Sequence, residues 1–404
     1  MHLTDPTQIF EERRHLERLG LRTTQWAGGA GLALLAGTFL MCLFLEDGRS
    51  RFFHSYLTSY AFYVSLSLGA LFFVALHHIS RAGWSVVVRR LAELMGANTL
   101  LLAVLFLPIL AGLEPLYPWS QTGAAHADPL LAWKSPYLNV VFFLARSLFY
   151  FAVWTGLSYY LLSRSLEQDT SGHVELTLRL ERISAPALLL LGMTVTFAAF
   201  DWLMSLDAHW YSTIFGVYYF SGGMLGFFAF LTLVVYALQR AGRLTRAITV
   251  EHYHDLGKWL LAFTLFWAYI AFSQYMLMWY ANLPEETGWF LRRQSGGWGW
   301  VGLILIFGHF IIPFFGLLSR YPKRRKPLLA FLAGWILVMH WIDLYWLVMP
   351  EFSPDSVPLN GVDFGCLAGL GGLYLANLAR LARGRSLVPV KDPRLGESLT
   401  FENA

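Results

Sequence analysis

Charge is scarce in this chain. Asp, Glu, Lys and Arg make up 14% of its 404 residues, while 56% are hydrophobic and 17% aromatic; soluble domains carry about a quarter charged residues. The shortage argues against an aqueous surrounding and points to lipid. Cysteine is scarcer still. Cys42 and Cys366 stand singly in apolar runs, which excludes a Cys-ligated iron–sulfur cluster, counts against zinc and fits small buried hydrophobes. A Walker A loop, Cys–His metal spacing and a Ser-His-Asp pattern in context are missing too, so neither metal nor nucleotide is expected. Short alternating strands are absent, which excludes an outer-membrane barrel.

What the sequence has is long apolar runs. About 20 apolar residues at 1.5 Å each cross roughly 30 Å of hydrocarbon, and ten such segments occur, near 24–45, 56–79, 97–114, 136–163, 183–205, 212–238, 256–281, 299–318, 327–349 and 362–382. The expected fold is an all-α integral membrane protein with ten transmembrane helices. Its expected parts are an amphipathic segment at 1–23, a membrane domain at 24–382 and a tail at 383–404. Lys and Arg in the connections test the parse independently. One side carries 23 of them and the other 5, and the excess belongs to the cytoplasm. Both termini are therefore expected to be cytoplasmic, and the net charge of +4 follows from topology, with no nucleic-acid partner implied. No cleavable signal is expected at the polar N-terminus, where Thr4 or Asp5 would cap a helix with Pro6 just inside. Trp119, Trp133, Trp202, Trp210, Trp279, Trp289, Trp298 and Trp346 fall near predicted boundaries, as an interfacial belt requires.

Ionisable groups at membrane depth are costly and survive when paired, hydrated or functional. Arg146 in "FFLARSLFYF" needs a carboxylate or carbonyl partner, either to fix helix packing or to close a proton or quinone path. His340 and Asp343 in "VMHWIDLYW" are three apart and share a helix face. His309 on the eighth helix and Ser273 and Gln274 on the seventh offer polar groups at overlapping depth. At the cytoplasmic end, His254, Asp255 and Lys258 in "EHYHDLGKW" and His77 and His78 in "ALHHISR" read as a proton entrance or as solvated helix ends. At the outer end, "FDWLMSLDAHWYSTIFGVYYFSGG" supplies Asp201, Asp207 and His209, joined by Glu285 from a later loop. These form the mouth of a proton exit or a quinone site, or stabilise a tight turn, with Asp207 capping the sixth helix or binding loop amides. A two-haem stack is not expected, because His309 and His340 lack a second matched pair.

The 200–223 stretch, together with "HDLGKWLLAFTLFWAYIAFSQYMLMWYANLPEET", resembles the large membrane subunits of alternative complex III, a bacterial quinol:electron-acceptor oxidoreductase. These belong to the polysulfide-reductase membrane-anchor (NrfD-like) family. By length, the chain is more similar to the shorter of the two subunits. The resemblance covers essentially the whole chain and implies helices 2–5 and 6–9 as two four-helix bundles flanked by helices 1 and 10. It implies a location in the bacterial inner membrane and no redox cofactor bound by this chain. Haem c and iron–sulfur clusters would reside in partner subunits: a periplasmic iron–sulfur protein and c-type cytochromes, beside a second NrfD-like subunit and, in some assemblies, a terminal oxidase. A proton path is the expected contribution, with a quinone site left open. A secondary transporter and a structural scaffold are the alternatives; Pro186, Pro313 and the glycines of "SGGMLG" could break helices as transporters do, or serve kinks and close packing.

Overall fold

A computed structural model describes residues 5–403. Ten helices in it are long and apolar enough to cross a membrane: α1 Glu17–Cys42, α2 Gly48–Ile79, α3 Val86–Ala111, α4 Val140–Ser171, α5 Val174–Leu206, α6 Phe215–Arg240, α7 Val250–Ala281, α8 Gly296–Leu318, α9 Lys326–Phe352 and α10 Gly361–Ala382. No strand occurs among the described residues. The expected fold class holds.

Burial grades the helices. α2, α6 and α9 are the most enclosed, and α6 packs on α2, α7 and α9. α1 leaves most of its surface exposed, including Trp26, Leu32 and Leu40. Its one close partner is α10, and glycine sets their spacing. A Cβ on Gly31 would stand 2.7 Å from the Gly369 carbonyl oxygen, and one on Gly372 2.5 Å from that of Ala27. Small residues let backbones approach where lipid gives no hydrophobic drive to associate.

Both termini lie at one end of the bundle, where Leu387 N donates to Arg14 O. Asp5 caps a short Pro6–Glu11 turn through the Thr7 amide at 2.8 Å; Thr4 lies outside the described residues. That turn is a single 3₁₀ stretch. Buried Glu12, just beyond it, accepts from the Arg246 and Ala247 amides.

Three departures from the sequence reading matter. First, α3 begins at Val86, eleven residues before the expected 97, so Arg89, Arg90 and Glu93 are buried helical residues. Second, α5 and α6 run on past Pro186 and the "SGGMLG" glycines. The glycines serve close packing: Gly223 faces Ser65 of α2, and Gly226 faces the His340 ring. Third, α8 passes through a π-helical stretch, Leu305–Ile311, before Pro313. In the π register Pro313 has no N–H to donate to the Gly308 carbonyl, which accepts from Trp335 Nε1 at 2.7 Å.

Candidate functional site

Five helices converge on one buried polar cluster. α9 supplies His340 and Asp343, which are 1% exposed, and their i, i+3 spacing turns both toward α6. Asp343 Oδ1 accepts the Tyr218 hydroxyl of α6, and Oδ2 accepts Trp267 Nε1 of α7 at 3.1 Å. His340 Nε2 lies 2.9 Å from Ser65 Oγ of α2. That hydroxyl has one proton and directs it to the Phe62 carbonyl at 2.7 Å, so Oγ accepts from His340 Nε2–H. His340 Nδ1 then keeps a free lone pair, and no protein group bonds it.

His309, carried inward by the π turn of α8, is fully buried and packs against Trp267 with ring centroids 4.1 Å apart and the planes tilted by 33°. Its ring lies 6.4 Å from that of His340. Neither nitrogen of His309 bonds to protein. Buried polar atoms are normally satisfied, so three open imidazole nitrogens beside a carboxylate mark a place suited to ordered water. Gly222 makes the room. A Cβ there would stand 3.2 Å from His340 Nδ1 and 3.5 Å from Asp343 Oδ2.

The remaining residues singled out in the sequence lie elsewhere. Gln274 is buried nearer the end opposite the termini, accepting from Ser212 Oγ at 3.1 Å, and Ser273 is half-buried. Arg146 is six residues into α4, about 9 Å from its start. Its Nε and Nη2 bind Asp201 at 2.8 Å each, its Nη1 donates to the Tyr137 carbonyl, and it lies over the Tyr137 and Phe142 rings. Tyr150 donates to the same carboxylate at 2.7 Å. Asp201 is thus sealed, with 0% exposure.

Asp207 pairs with Arg292 and accepts the His209 amide at 3.0 Å. It binds a loop amide as one reading expected, while α6 has no side-chain cap. His209 is exposed and reaches Asp128 at 2.6 Å. The Leu130 amide, and after it His209, hold the Asp128 carboxyl below its usual range. Glu285 is exposed in the first turn of the Pro284–Gln294 helix. From that helix's last turn, Arg293 inserts over the Trp289 ring, donates to the Leu347 carbonyl at 2.7 Å and pairs with Glu351 at 3.1 Å. Burial lowers its guanidinium to about 10.

A cavity of about 290 Å³ opens beside Glu351, lined also by His54, Ser50, Asp47, Gln121 and Phe352. His54 Nδ1 lies 2.8 Å from the Ser50 carbonyl and so carries the proton. Nothing in the sequence singled out His54 or Glu351, because the cavity they share is assembled from segments distant in sequence.

At the terminal end, His77 Nδ1 binds the Phe73 carbonyl at 2.8 Å, and both nitrogens of buried His78 lack a protein partner. Asp255 pairs with Lys258 on its own helix, and His254 Nδ1 is unbonded. His77 is twelve residues from Ser65 along α2, about 18 Å. Between that level and the central cluster, Phe73, Phe227, Phe228, Trp259 and Phe263 form a packed aromatic layer. The two sets of histidines are not brought together.

No family model matches the sequence, and no curated protein matches it.

Proposed function

We propose that the chain is a proton-handling membrane subunit of a bacterial quinol-oxidising respiratory complex of the alternative complex III kind, with both termini in the cytoplasm. Two lines support this. The 200–223 and 254–287 stretches resemble that family's membrane subunits, and a chain of mainly apolar helices holds His309, His340 and Asp343 together with open nitrogens. The second observation carries the reading, because such groups are costly in lipid and are kept where protons or ions move. Asp343 and His340 would exchange protons through water in the gap at Gly222, and His309 would extend the relay into α8.

A quinol site within this chain is a second reading. The His54 cavity favours it, since a quinol ring needs an apolar slot, a base and a hydrogen-bonding edge, here Phe352, His54 Nε2 and Glu351. Redox groups would belong to partner subunits, and the chain would supply position and proton transfer.

The first experiment is purification through a tag on this chain in mild detergent, with mass spectrometry and a visible spectrum. Iron–sulfur and c-type haem subunits should accompany it; a chain that arrives alone and colourless from intact membranes removes the proposal and favours a transporter. With the complex in hand, Asp343→Asn and His309→Ala should each reduce quinol-coupled proton transfer in vesicles by tenfold or more while the subunits stay assembled. Unchanged transfer in both variants would leave this chain a scaffold. His54→Leu should weaken quinol binding only if the second reading holds.

A further inference from the structure

The connection between α8 and α9 gathers five cations in seven residues, Arg320, Lys323, Arg324, Arg325 and Lys326. Lys258 of α7 stands beside them, close enough to hold the Lys323 ammonium, together with burial, below its usual range. Among the described residues two carboxylates meet the group, and each is taken. Glu251 binds Arg324 at 2.8 and 2.5 Å, and Asp255 binds Lys258 at 2.7 Å.

Three cations are left with neutral partners. Lys323 is 7% exposed, and its Nζ reaches only the Leu318 carbonyl, at 3.4 Å. Arg325 lies over the Tyr321 ring at 4.3 Å. Lys326 donates to Gln239 Oε1 at 2.7 Å and lies 5.1 Å over the Tyr253 ring. Unbalanced charge with a buried ammonium among it attracts an anion. The end of α8 that feeds this loop exposes Ile312, Phe315 and Leu318, and Tyr321 is exposed within the loop. The surface is thus cationic where it would meet headgroups and apolar where it would meet acyl chains.

We propose that the α8–α9 connection binds an anionic phospholipid, its phosphate at Lys323 and Arg325 and its chains along the exposed end of α8. The phosphate replaces the missing carboxylates, and the apolar strip distinguishes a lipid from a free anion. The proposal stands independently of the respiratory reading.

The test uses the full chain, delipidated in mild detergent, with native mass spectrometry of added phosphatidylglycerol and phosphatidylcholine of matched chains and with inorganic phosphate as competitor. Phosphatidylglycerol should be retained over phosphatidylcholine, and Lys323→Gln with Arg325→Gln should cut that preference about 25-fold, roughly fivefold per cation. Equal retention of the two lipids overturns the proposal, as does a preference that survives the double substitution. Displacement by millimolar phosphate also overturns it, since the site would then take the free anion. Should the double variant fail to fold, Arg325→Gln alone removes an exposed cation held by one ring, and a fivefold loss is expected from it.

Discussion

At the scale of single residues, Gly222 decides whether the central cluster can hold water. Its missing side chain leaves the space between His340 Nδ1 and Asp343 Oδ2, and a methyl group there would meet both at ordinary or slightly tight contact. Gly222→Ala should therefore assemble normally. The helix gains about 1 kcal/mol of intrinsic propensity, offsetting crowding of similar size. On the proposed proton-handling role, proton transfer should nevertheless fall at least tenfold, because the methyl would take the place of a bridging water; a variant that melts and transfers protons like the parent would disprove a water bridge there. The spacing of His340 and Asp343 was legible in the sequence, since three residues on one helix must share a face. Ser65, Tyr218 and Trp267 were not. Each is a common residue on a different helix, and only packing brings them to the carboxylate and the imidazole.

At the scale of elements, Arg146 and Asp201 lock α4 to α5 close to their shared end. Sequence reading found a lone arginine and a carboxylate, and left the carboxylate between an outer mouth and a tight turn; nothing local in "FDWLMS" says that Asp201 turns inward to Arg146. Their pairing predicts an asymmetry. Asp201→Leu alone leaves a cation in apolar surroundings and should cost about 3–5 kcal/mol, whereas adding Arg146→Met should restore most of it. Thermal denaturation in detergent measures both. If the double variant is stable but has lost proton transfer, the pair acts in the chemistry and not in packing. The start of α3 was misread for a related reason. "VVVRRLAELMG" places three charges in eleven residues, which breaks any apolar window, and the carboxylates that tame them are remote: Asp169 on α4 and Asp392 in the tail. Ten spans were legible because apolar length is a local property. The π turn in α8 was not, although Pro313 marked the place.

At the scale of the whole molecule, those same charges fasten the last twenty residues to the bundle. Arg89 binds Asp392 and Glu93, and Arg90 binds Glu93, Asp169 and the carbonyls of Ser165 and Ser386. Leu387, Val388, Leu395 and Leu399 are buried beside them, and Ser398 O approaches His252 Nε2 at 3.1 Å. The tail is therefore an integral layer over the terminal ends of α3 and α7. Two attachments of comparable strength compete for the credit. Each buried leucine contributes about 1.5–3 kcal/mol, and breaking a buried ion pair costs about 3–5 kcal/mol. Asp392→Asn separates them, because it leaves the leucines untouched and Arg89 with Glu93 alone. If the ion pairs hold the tail, limited proteolysis should cut residues 391–403 at least tenfold faster in this variant while the ten spans stay protected. If cutting is unchanged, apolar burial suffices, and Leu395→Ala should release the tail instead. In either case the tail should leave before any span opens, since α2 and α6 are the most enclosed of the spans and the tail is a short segment at the end of the chain.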